Sequence, residues 1–164
     1  MLYLCHASSP LGDITMAGDG VSLTGLWFDG QKHFPALPSS APENEHLPVF
    51  EETGRWLELY FSGKVPDFMP SLNPAGTPFQ KAVWELLRRI PRGETRTYGQ
   101  LAGLYAENSG IPRMSAQAVG GAVGRNPISI LIPCHRVIGS DGSLTGYAGG
   151  LARKAYLLDL ERRF

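Results

Sequence analysis

The sequence predicts an α/β protein in two parts. Residues 1–72 form a small β-sheet-plus-helix unit, and residues 73–164 a mainly helical unit that contains a helix-turn-helix. Three observations predict this. Turns alternate with short β-like runs over the first thirty residues, apolar residues recur at helical spacing after Gly76, and the charge divides at the same place. Residues 1–72 hold three Lys or Arg against nine Asp or Glu, a net charge of −6, whereas residues 73–164 hold twelve against six, a net charge of +6. The overall balance of zero therefore hides a second half suited to a polyanion and a first half that is not.

The elements follow in order. Ser9-Pro10-Leu11-Gly12 is a turn, and Asp13–Ala17 a strand. Gly18-Asp19-Gly20 is a second turn, and Val21–Phe28 a second strand that ends at Asp29-Gly30. The proline-rich stretch 31–48 is expected to be irregular. Val49, Thr53, Trp56, Leu57, Tyr60 and Phe61 then recur at helical spacing until Gly63 stops them. Pro66–Pro70 reads as an edge strand, and Ser71–Gly76, rich in turn formers, as the linker.

Beyond the linker, Thr77 caps a helix with Pro78 at its first position, and Phe79, Val83, Leu86, Leu87 and Ile90 form its apolar stripe. Thr97 caps a short helix from Tyr98 to about Ala106, and Gly110-Ile111-Pro112 breaks it. Ser115 caps Ala116–Val123, whose Ala118, Gly120, Gly121 and Ala122 permit close approach. Two short helices around a turn read as a helix-turn-helix, and in a basic half its second helix belongs in a nucleic-acid groove. Ile128–Ile132 suits a buried extended segment, Val137–Tyr147 a hairpin or wing, and Leu151–Arg162 a final helix.

Several classes are excluded. A hydrophobic content of 43% is ordinary for a folded domain and too high for a disordered chain. No segment has the apolar length to span a bilayer, and the N-terminus lacks the basic head and apolar core of a secretion signal. Two cysteines, Cys5 and Cys134, make no disulfide framework, so a reducing cytoplasmic setting is expected.

Cys134 is the candidate nucleophile. A free cysteine is commonly buried and inert, but this one follows a proline, ends an apolar run at a sharp bend, and precedes His135 and Arg136, which would favour a thiolate. Consecutive side chains diverge, so His135 would act through a water rather than by direct contact. A base so used needs a third group to hold its tautomer and take up charge. Glu161 is the candidate: on the last helix it falls in angle between Leu157 and Leu158, and a buried carboxylate there must find His135 or an arginine. Zinc bound by Cys5-His6 and Cys134-His135 is disfavoured, because adjacent residues rarely ligate one ion. A thiol hydrolase remains an alternative on the same three roles, whereas redox chemistry lacks a C-x-x-C.

The run Asn126–Gly139, with Gly146–Leu151 and Lys154, resembles the O6-alkylguanine-DNA alkyltransferase family. Gly76–Trp84, Ile90–Gly93 and Tyr98–Ala102 fit the same family in the same order, and the likeness covers residues 76–161. The first 70 residues match loosely, through Ser9–Gly12 and the β-rich pattern. The resemblance implies an RNase H-like first domain and a winged-helix-like second one. It also implies stoichiometric transfer of an alkyl group from guanine O6 in double-stranded DNA to Cys134, by a monomer that needs neither cofactor nor metal.

In that reading Glu161, His135 and a bridging water deprotonate Cys134, and Tyr98 donates a proton to the leaving guanine. Asn126 is a hinge between recognition helix and site. The backbone of Cys134 and Val137 with the amide of Ala148 reads the guanine edge, and Val123 and Gly149 shape the pocket. The target base is extruded through the minor groove, because a stacked base hides the reactive carbon. Contacts to DNA are implied for Ser115, Ala116, Gln117, Ala118 and Gly120 on the recognition helix, and for Arg113, Arg125 and Arg136 at phosphates. Two departures stand out. Gln117 occupies the place where many members insert an arginine, and Ala106–Met114 is longer than in compact members. Relatives that only bind lesions lack the cysteine, and Cys134 argues against that class.

Overall fold

The computed structural model describes residues 1–164. Three strands, β1 (Tyr3–Ser9), β2 (Gly12–Gly18) and β3 (Leu23–Phe28), form an antiparallel sheet in chain order, with Cys5 opposite Met16 and Ile14 opposite Phe28. The sheet's third strand starts at Leu23 rather than Val21. The Asp19 carboxylate accepts the N–H groups of Val21 and Ser22 at 2.9 and 2.7 Å, an Asx turn that takes these two residues out of the ladder. Helix α1 (Pro48–Phe61) carries Val49, Phe50, Trp56, Leu57 and Tyr60 on its buried side.

Pro66–Pro70 is not a strand. The pairing lies further on, where Leu23 donates to Ser71 O and accepts from Asn73 N, both at 2.8 Å. Prolines at both ends of 66–70 leave few donors for a ladder, so the linker itself supplies the edge contact.

Helix α2 (Pro78–Arg88) begins with a full capping box between Thr77 and Gln80, each side chain satisfying the other's orphan N–H. Thr97 and Gln100 repeat this device at the start of α3 (Tyr98–Ser109), which Gly110 ends in the left-handed conformation, φ 68°. Of the segment Ala106–Met114, the part up to Ser109 belongs to α3 and the rest is irregular. Ser115 caps α4 (Ala116–Gly124), and the Trp84 indole N–H donates to Ala122 O at 2.9 Å, fastening α2 to α4.

The expected hairpin or wing is reduced to a turn, in which Gly139 N–H donates to Ser143 O at 2.9 Å, with no returning strand over 144–147. Strand β5 (Val137–Ile138) pairs in parallel with β4 (Arg96–Thr97), and a loop with a turn at Asp141 follows. Parallel pairing needs a crossover, and α3 and α4 form it. The last helix, α5, is Leu151–Arg163.

Ile128–Ile132 is buried but turned rather than extended. Asn126 explains this: its Oδ1 accepts Ile128 N–H at 3.0 Å while its Nδ2 donates to Ile128 O and Ile132 O at 3.2 and 2.8 Å, and Ile130 takes φ 71°. The same segment is tied to the first half, because Leu26 donates to Pro127 O at 2.8 Å and accepts from Ser129 N at 2.9 Å. One apolar core runs through both halves, from Ile14, Phe28 and Tyr60 to Leu87, Val119, Ile132, Cys134 and Leu157. No helix is long and apolar enough to cross a membrane.

Candidate active site

Cys134 opens a single 3-10 turn, Cys134–Arg136, at the end of the Asn126-organised segment. It is 6% exposed. Burial pushes its thiol above the usual range, opposed by the neighbouring Asn126 amide and by the charge of Lys154. The nearby cation is therefore Lys154, not the two residues that follow Cys134 in sequence. Its ammonium is completely buried and donates to Val137 O and, at 2.7 Å, to Thr145 O. Burial lowers its pKa to about 8, with Cys134 acting in the opposite sense.

His135 is fully buried, which drives its pKa below the ordinary value despite the hydrogen bond and charge of Glu161. It is a neutral imidazole near pH 7, so it can accept a proton but does not favour a thiolate by charge. Its Nε2 lies 2.6 Å from Glu161 Oε2. With Nε2–H donated to the carboxylate, Nδ1 is left as the acceptor, and no protein group bonds it.

Glu161 falls on the inward side of α5 beside Leu157 and Leu158, as its helical angle predicts. Burial alone would raise its pKa. The hydrogen bonds from His135 and Arg136 and the charge of Arg136 overcome this and hold it well below the carboxylate range. Arg136 donates Nε to Oε1 at 2.8 Å and Nη2 to Oε2 at 3.1 Å, and its Nη1 reaches Ile90 O at 2.6 Å. The expected phosphate contact at Arg136 is thereby corrected. Its side chain is 12% exposed and turned inward, because an unpaired buried Glu161 would cost several kcal/mol.

A fourth member comes from the first half. Tyr60 on α1 donates its hydroxyl to Glu161 Oε2 at 2.6 Å. Burial and the neighbouring carboxylate push its own pKa far up. Its apolar helical stripe marks Tyr60 as core, and nothing in that pattern reveals the partner of its hydroxyl.

The remaining residues surround this line. Tyr98 is half-buried and donates to Thr145 O at 3.0 Å. Val123 and Val137 are buried, and Ala148 O accepts Lys32 N–H at 3.0 Å while the Ala148 N–H bonds no protein group. Val137 N–H already donates to Cys134 O, and a carbonyl keeps a second lone pair for a ligand. Gly149 is obligatory in shape, since a Cβ there would lie 2.5 Å from the Tyr147 ring.

On α4, Ala116, Gln117 and Ala118 are exposed and Gly120 half-exposed, and Arg113 and Arg125 at its two ends are exposed. Ser115 is exposed too, but its hydroxyl accepts from Ala118 N–H as the cap. A cleft of about 360 Å³ lies between Gly120, Gly121, Gly124 and Arg125 of the α4 end, the Gly146–Ala148 loop, and Lys32 and His33. Cys134 is not on its wall. Sequence reading left Lys32 and His33 unassigned, inside a stretch noted only as irregular. No group of three or more His, Cys, Asp or Glu side chains is arranged to hold a metal ion.

Comparison with known proteins agrees with this arrangement along the whole chain. Residues 2–73 match the ribonuclease-like domain of 6-O-methylguanine DNA methyltransferase, and residues 78–163 match its DNA binding domain. The chain is 49% identical over 160 residues to the methylated-DNA--protein-cysteine methyltransferase of Methanosarcina acetivorans, covering 98% of each. It is 46% identical over 162 residues to the protein of that name from Haemophilus influenzae, covering 98% of this chain and 87% of that one. A crystal structure of Mycobacterium tuberculosis OGT in complex with DNA superposes with a TM-score of 0.84 at 41% identity, covering 98% of this chain and 93% of the other. The chain belongs to the 6-O-methylguanine DNA methyltransferase family.

Proposed function

We propose that this protein repairs DNA by moving the alkyl group of an O6-alkylguanine, chiefly O6-methylguanine, onto Cys134 in one irreversible step per molecule. One observation carries the reading. The residue next to Cys134 is a buried neutral histidine whose Nε2 is held at 2.6 Å by a buried carboxylate and whose Nδ1 no protein group bonds.

A thiol raised by burial needs a base at the moment of reaction. Its proton passes through a water to His135 Nδ1, and the imidazolium is met by Glu161, already ionised by Arg136 and Tyr60. The sulfur forms a bond to the alkyl carbon as the C–O6 bond breaks, and that electron pair enters the guanine ring. Tyr98 releases Thr145 O and protonates the ring, then recovers a proton from solvent as the His135 imidazolium gives up the thiol proton through water. In sum the thiol proton is exchanged for the alkyl group, and a stable thioether remains.

Lys154 supports the negative sulfur during the displacement. Asn126 holds the segment between α4 and the cysteine in one shape. The Cys134 and Val137 carbonyls and the Ala148 N–H read the extruded base, with Val123 and Gly149 as pocket walls. Arg113, Ser115, Ala116, Gln117, Ala118, Gly120 and Arg125 meet double-stranded DNA. The protein acts as a monomer in the reducing cytoplasm and needs no cofactor, since the nucleophile is its own side chain.

The test is the intact mass after incubation with duplex DNA carrying O6-methylguanine. Wild type should gain one methyl group and Cys134→Ser none. An unchanged wild-type mass despite lesion binding, or many turnovers per molecule, would overturn the proposal.

A further inference from the structure

The cleft beside α4 has an unexpected second wall. Of the three Lys or Arg in the acidic first half, Lys32 lines it, together with His33, and Arg125 faces them from the C-terminal end of α4. No carboxylate lines the cleft.

The loop that carries Lys32 is built onto the site. Gln31, itself buried, accepts Phe28 N–H at 2.9 Å and donates to Lys32 O at 3.2 Å, while Lys32 N–H donates to Ala148 O at 3.0 Å. His33 adopts φ 63°, a left-handed backbone that a non-glycine residue takes at a cost of about 1 kcal/mol or more and keeps only where its surroundings impose it. The Lys32 and His33 side chains remain exposed.

The opposite wall is formed by glycines that the fold does not require. A Cβ at Gly121 or Gly124 would meet nothing within 4 Å. A glycine inside a helix costs about 1 kcal/mol relative to alanine, so these two leave room for something outside the protein.

We infer that Lys32 and His33, with Arg125 across the cleft, grip the phosphates flanking the extruded nucleotide, so that the acidic first half contributes directly to holding DNA. This rests on the proposed function and deepens it. The occupant is a phosphodiester strand because the cleft joins cationic donors to a side-chain-free ridge, immediately beside the loop that reads the base. Lys32 and Arg125 supply charge. His33, whose pKa is lowered by slight desolvation of its ring and by the charges of Arg125 and Lys32, supplies an N–H donor.

The two kinds of contact are separable by salt. Each cation that neutralises a phosphate adds roughly 0.9 to the slope of log affinity against log salt, by counterion release. Binding of duplex DNA containing O6-methylguanine should be titrated over a range of salt for Lys32→Ala, His33→Ala and, as a control from the same half, Lys64→Ala. Lys32→Ala should reduce the slope by about 1 and weaken binding several-fold near physiological salt. His33→Ala should weaken binding at every salt concentration and leave the slope unchanged. Lys64→Ala should alter neither. A wild-type slope in Lys32→Ala, wild-type affinity in His33→Ala, or an equal loss in Lys64→Ala would overturn the inference. The methyl gained by the wild-type protein, read by mass in the same samples, tests the underlying function separately.

Discussion

The hydroxyl of Tyr60 stands 2.6 Å from Oε2 of Glu161, across 101 residues of chain, and both groups are buried. The same oxygen receives His135. The strength with which the carboxylate holds the imidazole is therefore set partly by a side chain of the first half. Tyr60→Phe removes one donor and leaves the ring in place. Net stability should fall by about 1.5–3 kcal/mol, the range for a hydrogen bond to a charged group. The carboxylate, less shared, should bind the imidazolium more tightly and move the acid limb of the transfer rate to higher pH. Melting curves and single-turnover rates across pH check both. A purely structural Tyr60 would change the melt and leave the pH profile in place.

Acid should weaken the fold as well as the reaction. His135 has a folded pKa below its ordinary 6.5, so the unfolded chain binds more protons below that pH, and stability falls as pH drops from 6.5 toward the folded value. Glu161, also depressed, adds a further loss as pH falls below its ordinary 4.5 and through its folded value. The transfer rate should reach half its plateau below pH 6.5, as Nδ1 becomes protonated. A half-maximal point above pH 6.5 would show that His135 is not the neutral acceptor described.

Arg136→Ala should separate two roles. It leaves Glu161 without its bidentate partner, and breaking a buried pair costs about 3–5 kcal/mol. Because the guanidinium faces inward, the salt slope of DNA binding should remain that of wild type. A lowered slope measured on folded protein would return Arg136 to the phosphate contacts.

Gly121→Ala should set stability against binding. A methyl group there meets open space within the protein, so the helix should gain up to about 1 kcal/mol. Duplex affinity should fall, since the groove wall then carries a side chain. Equal affinity would mean that DNA does not approach this turn of α4.

Asn126→Ala should be among the costlier single changes outside the apolar core. It strands Ile128 N–H and Ile132 O, buried groups worth about 1–3 kcal/mol each when unsatisfied. Both thermal stability and transfer should suffer, and Asn126→Asp should not rescue them because Ile132 O needs a donor.

The helices were legible because local rules agree with the tertiary outcome. Thr77 and Ser115 cap what they are expected to cap, and the position of Glu161 among leucines already demands a buried partner. What escaped was decided at long range. Nothing local at Tyr60 discloses Glu161, and nothing at Lys32 discloses Ala148. The apolar run Ile128–Ile132 reads as extended, yet one side chain, Asn126, bends it by offering its backbone alternative partners. Arg136 misled for a related reason: a basic residue in a basic half reads as a DNA contact, and only the carboxylate on a distant helix shows otherwise. The charge division placed the polyanion on the second half, while the Lys32 loop brings part of the first half to the same cleft.

The two hydrogen bonds between Leu26 and the Pro127–Ser129 backbone also order events in time. A chain made from its N-terminus completes β3 long before residue 127 is added. When the cysteine segment emerges, the edge it docks against already exists. The segment has almost no repeating structure of its own, so its shape is set by the Asn126 side chain and by the strand edge it docks against. The proton acceptor beside the thiol is held in its tautomer only once Glu161, on α5, reaches His135, so the nucleophile is completed by a residue that follows the α4 recognition surface in the chain.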